Sequence, residues 1–441
     1  MSETETRTGH FNDLGIAQNL LAILKEKGFE TPTPIQHQVI PGALEGKDVI
    51  GVAQTGTGKT FAFGIPMIQR LMLGKKQGLI LVPTRELAEQ VDKSLRQIGN
   101  SLGFRSAVIM GGVPQSRQVR DLRRDPHIVI ATPGRLDDLM RQKLYKLDKV
   151  QVITLDEADR MLDIGFLHQI KRILQNCPPE KQTLLFSATM PKSIAALASE
   201  FMKLPLRIEI APQGTSAENV EQEIFVTTTG TKMKLLESIL QEYKNDTILI
   251  FSRTKHGATR IAREIRNLGH TATEIHSGRS QSQRRGALAG FVRGDHRIMV
   301  ATDIAARGID VEKISLVINF DLPESTDDYV HRIGRTGRAG RYGKAISFVT
   351  ASQRHNVRRI EQLIQKSLPL LFHPSLPKES LGPEESPRSF QPNRNRFSNR
   401  RRSNSGGSGG SYGNRGYASG GQRSPRGRNS GQRNRNSRQS F

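Results

Sequence analysis

The chain has 441 residues, a single cysteine and a formal net charge of +24. The lone Cys177 excludes an intramolecular disulfide and a cysteine-based zinc cluster, and no apolar stretch approaches the roughly 18 residues of a membrane-spanning helix. The charge therefore points to a polyanion such as RNA or DNA, and the polar start from Met1 to His10, without a signal-peptide core, fits a reducing cytoplasm.

In chain order, Val49-Ile50-Gly51-Val52 reads as a buried strand that runs into Ala53-Gln54-Thr55-Gly56-Thr57-Gly58-Lys59-Thr60. Ala53 stands where the first glycine of a phosphate loop is usual, but the backbone N–H groups around Gly56 and Gly58 can still wrap phosphate oxygens, with a helix N-terminus behind them. Lys59 then neutralises the β and γ phosphates, and the Thr60 hydroxyl is a ligand for Mg²⁺. Three more apolar runs end in unusual polar residues: Leu79 to Val82 before Pro83-Thr84-Arg85-Glu86-Leu87, Ile128 to Ala131 before Thr132-Pro133-Gly134-Arg135, and Thr183 to Phe186 before Ser187-Ala188-Thr189. Between the last two, Val152 to Leu155 runs into Asp156-Glu157-Ala158-Asp159. Alone, that tetrad reads as a solvated loop. Beside a phosphate loop it supplies the carboxylates that nucleoside triphosphate hydrolysis needs: Asp156 holding the metal through water, Glu157 orienting or deprotonating the attacking water.

The second half repeats this grammar without the phosphate loop. Ile248 to Phe251 precedes Ser252-Arg253-Thr254, Ile298 to Ala301 precedes Thr302-Asp303, and Leu316 to Asn319 precedes Phe320-Asp321, with helix-compatible stretches such as Ala258 to Leu268 between. Strands alternating with helices imply an α/β fold in which each domain is a mostly parallel sheet flanked by helices. The special residues then collect at the carboxyl ends of the strands. The boundaries read as a first domain over 1–205, a linker over 206–222, a second domain over 223–370 and a basic tail over 371–441. From Arg388 onward there are 13 Arg, 11 Ser, 10 Gly and 8 Asn and no acidic residue, Leu, Ile, Val or Met, so the tail is expected to be disordered. It is read as an RNA-binding arm, with a merely solubilising arm as the alternative.

Over about Phe11 to Leu370 the chain resembles a DEAD-box ATP-dependent RNA helicase of superfamily 2, and its short Arg/Gly/Ser/Asn tail resembles the bacterial RhlE-type branch. The resemblance rests on Gly28-Phe29 and Thr33-Pro34-Ile35-Gln36, on the motifs quoted above with Gly111-Gly112, and on Arg307-Gly308-Ile309-Asp310 and His331 through Arg338. One departure is His276-Ser277-Gly278, where the family more often has His-Gly followed by Asp or Asn. It implies two tandem RecA-like domains, ATP with Mg²⁺, and RNA bound without base readout. The roles it implies are adenine reading by Gln36 with Phe11, ribose contact by Asp310, and arginine fingers at Arg335 and Arg338. Asp159, Ser187, Thr189 and His331 would couple the domains. Arg85, Gly112, Thr132, Arg135, Arg253, Gly278 and Thr302 would grip the RNA backbone; for any one of these, turn or cap geometry is an equal explanation. The expected activity is RNA-dependent ATP hydrolysis by a monomer that unwinds short duplexes or remodels ribonucleoprotein, ribosome precursors included. A DNA-translocating relative and an ATP-dependent RNA clamp or annealer are the alternatives.

Overall fold

A computed structural model of the chain describes residues 9–53, 56–72, 74, 76–210, 220–306, 311, 314–337 and 342–374. Gln54, Thr55, Asp310, Arg338 and all but the first residues of the expected tail lie outside them.

Short apolar runs buried on both faces are the signature of parallel strands covered by helices. In the first half these are β1 (Val49–Val52), β2 (Gln77–Leu81), β3 (Ser106–Ile109), β4 (Ile128–Ala131), β5 (Val150–Leu155), β6 (Gln182–Ser187) and β7 (Leu206–Glu209). The second half has β8 (Val220–Val226), β9 (Ile248–Phe251), β10 (Ala272–Ile275), β11 (Ile298–Ala301), β12 (Leu316–Asn319), β13 (Gly343–Val349) and β14 (Leu370–Leu371). Two seven-stranded sheets result, ordered β3-β4-β2-β5-β6-β1-β7 and β10-β11-β9-β12-β13-β8-β14. Every strand of the second sheet sits where the strand seven earlier sits in the first, so the duplication read from the sequence holds at the level of topology. Alternate residues of each strand face opposite helical layers: Leu79 and Leu81 join one apolar cluster and Ile80 the other, and Leu249 and Ile250 divide in the same way.

The strands run further than expected into the stretch read as a linker. Leu206 to Glu209 pairs in parallel with β1, register Val49↔Leu206, and Val220 opens β8. The alternation Leu206, Arg207, Ile208, Glu209 hides the strand, because an edge strand buries one face: only Ile208 is buried. Asp48 fastens this edge by accepting the N–H groups of Thr183 and Lys203, both at 2.7 Å. Leu370–Leu371 likewise pairs with β8 at the start of the expected tail. Among the described residues no helix is long and apolar enough to cross a membrane.

The duplicated topology also shows why only one half keeps a phosphate loop. After β1 the chain enters the Lys59–Leu71 helix, and after β8, its counterpart, the Lys232–Glu242 helix. Lys59 Nζ donates to Ala53 O of its own loop at 2.9 Å. Lys232 Nζ instead donates to Phe320 O at 2.7 Å and Asp321 Oδ1 at 3.0 Å, and lies 5.3 Å from the centre of the Phe320 ring. Asp321 follows β12 as Asp156 follows β5. The second lysine is consumed internally as a strut between strand ends. Truncating one partner of a buried ion pair costs about 3–5 kcal/mol, and with Asp321 partly open to solvent the lower end applies. Lys232→Ala should therefore unfold at clearly lower temperature than wild type. A control Lys234→Ala, on the same helix, should not; equal midpoints for all three would contradict the strut.

Candidate functional site

The site is assembled at the carboxyl ends of β1, β5 and β6, where the chain must leave each strand abruptly. Gly58 makes one such exit at φ +91°, and a Cβ there would collide with Gln36 Nε2 and Thr33 Oγ1. Gln36, at the first turn of the Pro34–Leu44 helix, accepts the Thr33 N–H at 2.9 Å and donates to the Gly58 carbonyl at 3.0 Å. The residue expected to read a base thus also braces the phosphate loop; one amide N–H and one oxygen lone pair remain for other use. Phe11, only 4% exposed, packs in the apolar core beneath.

Lys59, Thr60, Asp156 and Glu157, with Gly56 and Gly58, line one cavity of about 460 Å³. Burial pushes the Asp156 carboxyl up to about 6, against the pull of Lys59 and helped by the neighbouring Glu157. Burial alone would also raise Glu157, but the charges of Arg160, Lys59, Arg335 and His331 outweigh it and hold that carboxyl at about 2. Two adjacent acids are thus driven apart: one easily protonated, one firmly anionic. The donor set suits a hydrated divalent cation. A buried carboxyl raised in this way gains most from a cation.

Glu157 has left-handed backbone, φ 52° and ψ 52°, at the N-terminus of the Ala158–Asp163 helix. For a residue with a Cβ this conformation is sparsely populated and must be held by its surroundings. Asp159 supplies part of the hold. Its Oδ2 accepts from Ala188 N (3.1 Å), Thr189 N (2.9 Å) and Thr189 Oγ1 (3.0 Å), while its own N–H donates to Ser187 Oγ at 3.2 Å. The tetrad and the end of β6 are therefore one interlocked turn within the first domain.

Arg160 supplies the rest, and sequence reasoning missed it. Its Nη1 pairs with Glu157 Oε2 at 3.2 Å with both side chains buried, and its Nη2 donates to the Asp303 carbonyl of the second sheet at 3.4 Å. The Asp303 carboxylate in turn receives Arg332 Nε and Nη2 at 2.5 and 2.7 Å, and Arg332 Nη1 reaches Asn319 Oδ1 (3.1 Å) and Asp321 O (2.6 Å). Arg332, 1% exposed, also lies over the Phe251 ring at 5.0 Å. The helix carrying it, Thr326–Ile333, carries His331 as well and leads into Arg335, which is buried with Nε donating to His331 O at 3.1 Å. A buried polar chain thus runs from Glu157 to the segment expected to supply the arginine finger. No local pattern gives Arg160 or Arg332 a role; the only signal is their place, Arg160 directly after the tetrad and Arg332 inside the run from His331 to Arg338.

A second cavity, about 530 Å³, gathers Arg85, Thr132 and Arg135 of the first sheet with Ser277, Arg279 and Arg284 of the second. Four of the seven residues expected to meet RNA lie elsewhere. Arg253, Gly278 and Thr302 sit at the ends of β9, β10 and β11, and Gly112 borders a separate groove. Gly112 has φ +78°, and any Cβ would strike the Arg85 guanidinium, so the bare backbone turn there is a steric requirement. The cavity is clasped by Glu86 and Arg284, paired at 2.9 Å between the Arg85–Gly99 and Gln281–Arg293 helices. Burial raises the Glu86 carboxyl despite Arg284.

Comparison with known proteins places this geometry. Residues 33–197 match the family model described as DEAD/DEAH box helicase, and residues 231–340 match the helicase conserved C-terminal domain. The chain is 42% identical over 368 residues to the ATP-dependent rRNA helicase RRP3 of Debaryomyces hansenii, covering 83% of this chain and 77% of that one. It is 41% identical to the ATP-dependent RNA helicase DbpA of Bacillus subtilis, with the same 83% and 77% covered. Among solved structures, Mss116p with its NTE and C-tail deleted, bound to ssRNA and AMP-PNP, is similar at a TM-score of 0.78 and 28% identity over 84% of this chain and 81% of that one. S. cerevisiae Dbp5 bound to RNA and ADP BeF3 is similar at 0.75 and 29% over 82% and 95%.

The clasp generates a prediction. Arg284→Ala strands the Glu86 carboxyl in a buried position, whereas Glu86→Gln with Arg284→Gln strands no charge, so the double variant should close its domains better than Arg284→Ala. Energy transfer between dyes on the two domains reads this directly. Additive losses would mean that the two side chains do not act as a pair.

Proposed function

We propose, for a chain that belongs to the DEAD-box family of ATP-dependent RNA helicases, that it couples ATP hydrolysis to local separation of short RNA duplexes or to remodelling of ribonucleoprotein. The observation that carries this reading is the buried chain Glu157–Arg160–Asp303–Arg332, which exists only while the two sheets are together.

In this reading Lys59 and the backbone of Gly56 to Gly58 hold the phosphates, and Gln36 selects adenine with the amide groups it has to spare. Mg²⁺, when bound, offsets phosphate charge; Thr60 and, through water, Asp156 are the residues that would hold it. Glu157, kept anionic at about 2 by its cationic neighbours, orients the attacking water. Arg335 offers its fork to the charge that develops on the transferred phosphoryl group, and Arg338 and Asp310 are proposed for the same cleft. RNA lies against Arg85, Thr132 and Arg135, and its grip is shared with Gly112, Arg253, Gly278 and Thr302 through backbone and hydroxyl contacts. The protein acts as a monomer in the cytoplasm, on single strands, short duplexes or ribonucleoprotein such as ribosome precursors.

Three variants separate these roles. Glu157→Gln should stop hydrolysis while keeping ATP-dependent RNA binding, and Lys59→Ala should lose both. Arg335→Ala should lower RNA-stimulated turnover by roughly 10³ or more, the scale set by arginine fingers in related enzymes. Parental turnover of Glu157→Gln with saturating RNA would reject its assignment, and equal stimulation of wild type by DNA of the same sequence would favour the DNA-translocating alternative. Strand annealing without hydrolysis-coupled release would favour the clamp.

The basic tail is proposed as an RNA-binding arm. Truncation after Glu385 should flatten the dependence of log affinity on log salt, whose slope is about −0.7 per neutralised phosphate on single strands. It should also raise the RNA concentration for half-maximal ATPase and leave maximal turnover near wild type. An unchanged slope would assign the whole RNA grip to the two domains.

A further inference from the structure

Beside the interdomain cavity lies a larger open groove, about 750 Å³, of whose lining only Gly112 has a role above. It runs along the edge strand β3 between the Arg85–Gly99 and Gln115–Arg123 helices, and the Gln281–Arg293 helix of the second sheet touches one wall. Five arginines and three carboxylates line it, and the carboxylates are already matched: Glu89 with Arg285, Asp92 with Arg96 at 2.8 Å, Asp121 with Arg124 at 3.7 Å. The excess charge therefore resides on Arg105 and Arg117. Among the described residues Arg117 has no acidic partner, and the Arg105 guanidinium donates only to a backbone carbonyl, that of Asp125, at 3.5 Å. Both are exposed. Arg120 and Arg123, on the same helix as Arg117, are exposed as well and add to the field.

Position gives this charge a meaning. Gly111 borders the interdomain cavity and Gly112 borders the groove, so one turn without side chains is the step between them. A sugar-phosphate strand leaving the cavity crosses that step past the Arg85 guanidinium, which lies against both glycines, and enters the groove that Arg117 and Arg105 line. Guanidinium groups with no protein partner, on an open surface, suit phosphates and read no sequence.

We propose that this groove is an accessory track for the RNA that extends beyond the interdomain cavity, with Arg105 and Arg117 each neutralising a backbone phosphate. The ligand is a single strand or the end of a duplex, continuous with the strand in the cavity. The track lengthens the binding site without adding base readout, and it favours substrates longer than the cavity alone can hold. This inference rests on the proposed function, because it requires RNA in the cavity.

The test uses the full chain and its Arg105→Gln/Arg117→Gln variant, with single strands just long enough to cross the interdomain cavity and strands extended at the 5′ or the 3′ end. Binding is followed by fluorescence anisotropy across a salt series, and turnover by ATPase. On the short strand the variant should match wild type in affinity and maximal turnover, which also reports that it is folded. With an extension at one end only, wild type should gain affinity and the variant should lose that gain. Its salt slope should be flatter by about 1.4, two phosphates at about 0.7 each. Variant and wild type indistinguishable on both extended strands would overturn the track and leave the groove to an acidic protein partner. Equal losses on short and extended strands would also overturn it, placing the arginines inside the primary site. Wild type showing no RNA-stimulated hydrolysis on any strand would instead reject the reading of function on which the track depends.

Discussion

The structure turns on one buried ion pair. Glu157 sits in a backbone conformation that a side chain disfavours, and Arg160, three residues on, both neutralises it and reaches the second sheet at the Asp303 carbonyl. A buried pair of this kind gives little net stability, because desolvation offsets attraction. Its value is geometric. One donor of this arginine, Nη2, reaches a carbonyl of the other domain, so the neutraliser of Glu157 and the meeting of the two sheets share one side chain. Arg332 carries the same link on to the segment that holds His331 and Arg335.

The duplicated sheet shows how one ancestral plan yields one catalytic and one responding domain. The two lysines that open the helices after β1 and β8 occupy matching places, yet one is held by its own loop and the other is locked to Asp321. A lysine already paired with a carboxylate is a poor phosphate ligand, since binding would have to break a buried pair first. The second domain therefore keeps the sheet edge and gives up the cradle.

How much of this the sequence discloses follows from where information sits in a chain. The strands buried on both faces announce themselves as apolar runs, and the residues that end them are unusual enough to be read, so the two domains, the phosphate loop and the acidic tetrad were legible. The edge strand Leu206–Glu209 was read as linker because only alternate residues are buried. Arg284 escaped because an arginine paired with a partner distant in sequence carries no local signature: it and Glu86 lie on helices of different domains. Arg160 directly follows the tetrad and Arg332 falls inside the run from His331 to Arg338, but residue type alone gives neither a role. The chemistry of Gln36 is legible in the sequence, and the structure adds a mechanical duty to it: its side chain spans Thr33 and Gly58 and braces the phosphate loop.

The two clefts between the sheets obey a single logic. One needs Glu157 beside Arg335; the other needs Arg85, Thr132 and Arg135 facing Ser277 and Arg279. The first is lined by one domain but feels the charges of Arg335 and His331 from the other, the second is lined by both, and the clasp of Glu86 on Arg284 lies next in sequence to Arg85. Any ligand that favours the joined state in one cleft must favour it in the other, because both are read from the same rigid-body position. Linkage makes the effect reciprocal: RNA tightens the hold on nucleotide by the factor with which nucleotide tightens the hold on RNA. No dedicated wire between the sites is needed. The coupling follows from dividing each site between two halves and giving both divisions the same seam.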